Sequence, residues 1–165
     1  MVAWRIYDHH AAHARVRGFD PLGGSGGLHQ SARWHHKGRP ILYASSSPSL
    51  ALLEVLAHET SASFRERTLL HIELDDDSEI VTPQHLIRLL ADAPEGDPER
   101  LTRDFGTAWL DERRSLALLA PSIVMPYENN VIINPAHPRA ESVRVVRSTV
   151  IALDRRLVQS LEKEW

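Results

Sequence analysis

The chain has 165 residues, enough for one ordinary domain and too few for two comfortable ones. Its 19 basic and 22 acidic residues leave a net charge of −3, which argues against a general nucleic-acid binder with a basic face. Cysteine is absent, so disulfides, thiolate zinc sites and a cysteine nucleophile are excluded. At 42% hydrophobic residues the chain can build a real core. Met1–Asp8 lacks the basic start and apolar run of a signal peptide, and no apolar stretch reaches membrane-spanning length. The expectation is one soluble, cytoplasmic domain over residues 1–165, without membrane contact.

Ala3–Tyr7 reads as a short strand, followed by an irregular segment whose Pro21 to Gly27 run resists regular structure. Ile41–Ala44 is a second strand. Ser47-Pro48 then opens a helix over Ser49–Glu59, since serine caps free amides and proline suits the first turn. Thr68–Leu74 and Glu79–Val81 read as strands, and Thr82-Pro83 opens a helix to Leu90. Arg100–Arg113 carries Leu101, Phe105, Ala108 and Trp109 at helical spacing. Strand-like runs follow at Ser115–Leu119, Ser122–Met125, Val131–Ile133 and Val143–Leu153, and Arg155–Trp165 suggests a terminal helix. The pattern predicts a single mixed domain, α/β or α+β.

Glu54 is the most informative residue. It stands within Leu50-Ala51-Leu52-Leu53-Glu54-Val55-Leu56-Ala57, a helix apolar on every face and so expected to be buried. A carboxylate there must be paired, hydrogen-bonded or set at a cleft. Arg33 beside Trp34, just after the glycine-rich segment, offers a planar fork for phosphate oxygens, although a surface arginine and a core tryptophan would look the same. Pro121-Ser122 and Asn134-Pro135 mark turning strand ends, where sites collect. Ser122 has no nucleophile elbow around it, and Asn134 also fits a turn residue.

Ten histidines are unusual but ill-placed for metal. His9 and His13 could share a helical face, yet no third ligand is implied, and His58-Glu59 does not continue to a second zinc-spaced histidine. No metal site is expected. Asp75-Asp76-Asp77 reads as a solvated turn rather than a magnesium nuclease centre. Gly23 to Gly27 fits neither a P-loop nor a dinucleotide fingerprint.

Several stretches together resemble the RES domain family, named for its arginine, glutamate and serine. They are Arg33-Trp34, Gly38 to Ser45 (GRPILYAS), Ser49 to Glu54 (SLALLE), Trp109-Leu110, Pro121-Ser122, Asn130 to Pro135, His137-Pro138 and Leu153 to Leu157. The resemblance runs from Trp4-Arg5 to Leu157. Where the family often has glycine before the arginine and asparagine after the tryptophan, this chain has Ala32 and His35.

That resemblance implies an α+β domain like the ADP-ribosyltransferases, with a largely antiparallel β core flanked by helices. It implies the toxin of a type II toxin–antitoxin pair that cleaves the nicotinamide–ribose bond of NAD, by hydrolysis or phosphorolysis. ADP-ribosylation of a cellular protein, or a non-catalytic nucleotide- or partner-binding module, are the alternatives. NAD is then a substrate, and no prosthetic group is implied. Arg33, Glu54 and Ser122 are implied as catalytic, with Arg33, Trp34, Tyr43, Ser122 and Asn134 binding substrate. Glu54 would stabilise the positive charge that develops on the ribose, Arg33 would hold pyrophosphate, Tyr43 would flank nicotinamide, and Ser122 would orient the ribose or amide. The implied partner is an antitoxin with helix-turn-helix (Xre-like) and toxin-binding domains, in a hetero-oligomer with several toxin copies. DNA would be contacted only through that antitoxin.

Overall fold

The computed structural model describes residues 1–58, 66–154 and 156–157. In chain order the elements are β1 (Val2–Tyr7), β2 (Leu42–Ser45), α1 (Pro48–His58), β3 (Arg67–Glu73), β4 (Ser78–Ile80), α2 (Pro83–Ala91), α3 (Arg100–Glu112), β5 (Ala117–Pro121), β6 (Asn129–Ile133) and β7 (Arg144–Ile151). Short 3-10 turns interrupt the connections. The strands form one sheet in the order β4-β5-β6-β2-β1-β3-β7, antiparallel throughout except for the parallel β4–β5 pair. The fold is therefore α+β, as the sequence led us to expect.

The central strands bury both faces, and the alternation along β5 and β6 shows it. Ala117, Val131 and Ile133 join Ala3, Leu42, Ala44, Leu70 and Ile72 in one core. Leu118, Ala120 and Ile132 point the other way, into a core with Trp34, Ile41, Leu86, Trp109 and Leu110. Both helix starts behave as their sequences suggest. The Leu50 amide donates to Ser47 Oγ at 3.0 Å, and the His85 amide donates to Thr82 Oγ1 at 3.1 Å.

Three expectations change. Ser122–Met125 is a turn and not a strand, because Ser122 Oγ accepts the amides of Val124 and Met125 at 3.1 and 3.0 Å. Those donors are satisfied locally and have no need of a ladder. Secondly, α1 is less buried than its composition implies. Within it only Leu50 and Ala51 are buried, since one side packs on β1 and β2 while the rest is half-covered or exposed. Thirdly, the glycine-rich run is held in place rather than loose. Gly24 has φ of +65° and lies against the Ile41 backbone, with the Ile41 amide donating to Gly24 O at 3.0 Å. Glu59 and, apart from 156–157, the expected helix Arg155–Trp165 lie outside the described residues. Among the described residues, no helix is long and apolar enough to cross a membrane.

Candidate active site

The geometry of the site begins with a gap in the sheet. β1 meets β2 through a single pair, Trp4 with Ser45, whereas β1 and β3 stay in register over the whole strand. Beyond that pair the guanidinium of Arg5 enters, and its Nη1 donates to Tyr43 O at 2.7 Å. A cavity of about 720 Å³ opens here, bounded by β1, β2, α1 and the segment around Arg33. That is within the ~300–1,000 Å³ usual for small-molecule sites.

Glu54 projects from α1 into this cavity, with 22% of its side chain exposed. Two donors hold its Oε1: Ser122 Oγ at 2.8 Å and Asn130 Nδ2 at 2.9 Å. Oε2 faces His58 Nε2 at 3.9 Å. The carboxylate is thus hydrogen-bonded and set at a cleft, two of the ways a lone acid on an apolar helix can be accommodated. Asn130 reaches it because β6 pairs with both β2 and β5, which sets Asn130 opposite Ser45 and Ala120.

Arg33 sits on the far wall, where its Nη2 pairs with Glu99 at 2.8 Å. Its segment is fixed by close approach to α3. A Cβ on Gly106 would lie 2.1 Å from Trp34 O, so only glycine admits the chain there. The His36 amide also donates to Thr107 Oγ1 at 3.0 Å. Ala32 and His35 exchange backbone hydrogen bonds at 3.1 and 3.2 Å, so the turn presenting Arg33 forms without the family's usual glycine and asparagine.

Tyr43 lines the cavity, and its hydroxyl lies 2.9 Å from Nδ1 of the buried His35. Burial pushes the Tyr43 phenol well above its ordinary range, so it stays protonated. Burial also holds His35 below the usual histidine value. Arg5 is missing from the sequence-based site, yet it lines the cavity. Its Nε is buried without a hydrogen-bond partner, and none of the described carboxylates pairs with it. Partial burial lowers its pKa from the normal arginine value, although the half-buried side chain still borders the cavity. Trp4 lines the same cavity and stacks on His71, with ring centroids 4.4 Å apart.

The remaining residues expected at the site are placed differently. Ser122 is 2% exposed and directs its hydroxyl at Glu54. Trp34 borders the cavity but is also 2% exposed, with its side chain packed in the core beside Phe105. Asn134 lies outside the cavity lining. Its Nδ2 donates to Leu110 O at 3.0 Å and its Oδ1 accepts the Ala136 amide at 3.0 Å, so its amide ties the end of β6 to α3. Away from the cavity, His9, His10 and Glu66 bring potential ligand atoms within 4.8 Å of one another. There the His10 Nδ1 faces the Arg15 guanidinium at 3.3 Å. Asp75 and Asp77 both pair with Arg139.

The RES domain family matches residues 2–156. The chain belongs to the RES domain family. A protein named Toxin Res from Pseudomonas putida is 40% identical over 134 residues, covering 79% of this chain and 89% of the relative. A protein named Prs ADP-ribosylating toxin from a Sphingobium species is 35% identical over 161 residues, covering 94% and 96%. The fold also matches a chain in the crystal structure of the M. tuberculosis MbcT-MbcA toxin-antitoxin complex. The TM-score is 0.70 at 19% identity, with 97% of this RES domain chain and 87% of that chain covered.

Proposed function

We propose that this RES domain protein is a toxin that breaks the bond between nicotinamide and ribose in NAD. The observation that carries the reading is the fixed carboxylate of Glu54 in a cavity that also holds Arg5, a half-buried cation whose Nε has no hydrogen-bond partner and which pairs with no carboxylate among the described residues. Such a cation favours an anionic ligand, and a dinucleotide brings a pyrophosphate. As the glycosidic bond stretches, positive charge develops on the ribose and neutral nicotinamide departs. Glu54 stabilises that charge, more strongly for being partly shielded from water. Ser122 and Asn130 keep its Oε1 from turning away. Arg5 and Arg33 hold the pyrophosphate, the latter by exchanging Glu99 for phosphate oxygens. Tyr43 flanks the nicotinamide end as a neutral phenol. The names of the relatives, both toxins, support the same reading.

Transfer of ADP-ribose to a protein is a second reading, favoured by the relative named as an ADP-ribosylating toxin along nearly its whole length. Both readings share the first bond cleavage. A cytoplasmic protein of this kind would need an antitoxin to cover the cavity, as the likeness to a toxin from a toxin-antitoxin complex suggests. The test is to incubate the purified chain with NAD and measure free nicotinamide. Release that Glu54→Ala abolishes supports the reading; undiminished release from that variant rejects it. Labelled NAD supplied with cell lysate separates transfer from hydrolysis.

A further inference from the structure

We propose that His58 takes the proton from the oxygen nucleophile that captures the ribose, so that the acceptor is a proton-bearing one, water or a hydroxyl. This rests on the reading of the site as an NAD-cleaving one. Capture needs a base if the acceptor is water, because the oxygen must shed a proton as its bond to carbon forms. Among the described titratable groups that line the cavity, the other five are poor candidates. Arg5 and Arg33 present donor-only guanidinium groups, and Tyr43 is a phenol whose proton burial retains. Glu99 is engaged by Arg33, and Glu54 faces the developing charge with Oε1 already holding two donors.

His58 is the last residue of α1, one turn beyond Glu54, and it lines the cavity with 80% of its side chain exposed. Its Nε2 stands 3.9 Å from Glu54 Oε2, too far for a hydrogen bond between them but close enough for both to touch one incoming oxygen. Histidine is also the side chain suited to accepting a proton near neutral pH. The step balances. The C1′–N bond breaks and its electron pair leaves with nicotinamide. A lone pair of the water oxygen forms the new C1′–O bond, and the water proton passes to His58 Nε2. The resulting imidazolium faces Glu54 Oε2 and then releases its proton to solvent, which the exposed ring reaches directly. Inorganic phosphate dianion needs no such help, since it attacks through an oxygen that carries no proton.

The test compares wild type and His58→Ala with NAD in the presence and absence of inorganic phosphate, separating ADP-ribose from its 1-phosphate. His58→Ala should lose hydrolysis by about a hundredfold, the low end for general-base catalysis, while any phosphorolysis persists. Added imidazole should restore hydrolysis, because the vacated position is open to solvent. Unchanged hydrolysis overturns the proposal. So does a loss that imidazole does not repair, or one shared equally by phosphorolysis. If the wild type releases no nicotinamide under any condition, the NAD reading itself fails and this proposal with it. An active wild type with an indifferent His58→Ala fails this proposal alone.

Discussion

Ser122 Oγ donates to Glu54 Oε1 at 2.8 Å while accepting the amides of Val124 and Met125. One hydroxyl therefore ties the β5–β6 turn to a carboxylate on α1, 68 residues away in sequence. The two incoming amides use the hydroxyl's lone pairs, which directs its proton to Glu54. Ser122 and Glu54 are in this geometry one hydrogen-bonded unit, with the serine positioning the carboxylate.

Ser122→Ala should lower kcat with little change in KM, because the hydroxyl is buried outside the cavity lining and engaged by three internal partners. A lost hydrogen bond to a charged group is worth about 1.5–3 kcal/mol, or roughly ten- to a hundredfold in rate. Two turn amides also lose their acceptor, so the melting temperature should drop by several degrees. Asn130→Ala should reproduce the kcat effect without the turn destabilisation. Steady-state kinetics on both variants check this, and a rise in KM alone would show that Ser122 binds substrate instead.

Glu99 occupies the guanidinium that phosphate oxygens would need. Glu99→Gln keeps the shape and removes the competing charge, so KM for NAD should fall several-fold. The partner is half-exposed, so the gain stays at or below about 1 kcal/mol. Arg33→Ala should raise KM instead. Equal KM values for Glu99→Gln and wild type would mean that Arg33 never leaves Glu99.

His35 gives the fold an acid sensitivity. Its folded value lies below 6.5, the value it takes when unfolded. Between the two, the unfolded chain binds a proton that the folded chain refuses, so unfolding gains as pH falls below about 6.5. The slope from this site cannot exceed one proton, about 1.4 kcal/mol per pH unit. His35→Asn should flatten the decline. Urea unfolding of both proteins at pH 7.5 and 5.5 measures it, and identical declines would contradict the assignment.

Glu54 and Arg33 were legible in the sequence for local reasons. An acid inside Leu-Ala-Leu-Leu-Glu-Val-Leu contradicts its neighbours, and an arginine after a turn-rich run advertises a loop. Choosing between Asn130 and Asn134 is a different problem. They lie four residues apart, and only the register of β6 against β2 and β5 puts Asn130 opposite Ser45 and leaves Asn134 past the strand's end. Gly106 reads as a weak point in a helix until α3 packs on the Trp34 backbone. Arg5 is hidden for the same reason. Within Ala3–Tyr7 it looks like the polar position of an alternating strand, and its place at the cavity, unpaired with any carboxylate among the described residues, follows from where β1 parts from β2.

That isolation makes Arg5 the sharpest place to separate function from stability. Arg5 is half-buried with its Nε unpartnered, and replacing a largely desolvated charge by an apolar side chain of similar length is often neutral or stabilising. Arg5→Met should therefore fold, with the lost bond to Tyr43 O offset by relief of the desolvated Nε, and its melting temperature should stay near that of wild type. NAD binding should suffer far more. Losing a charge-assisted contact to phosphate costs about 1.5–3 kcal/mol, so KM should rise by roughly ten- to a hundredfold. Inorganic pyrophosphate should compete with NAD in the wild type and lose that effect in the variant. Thermal melts with inhibition kinetics decide the matter. A protein that melts much earlier, with pyrophosphate inhibition intact, would show that Arg5 serves the sheet and not the ligand.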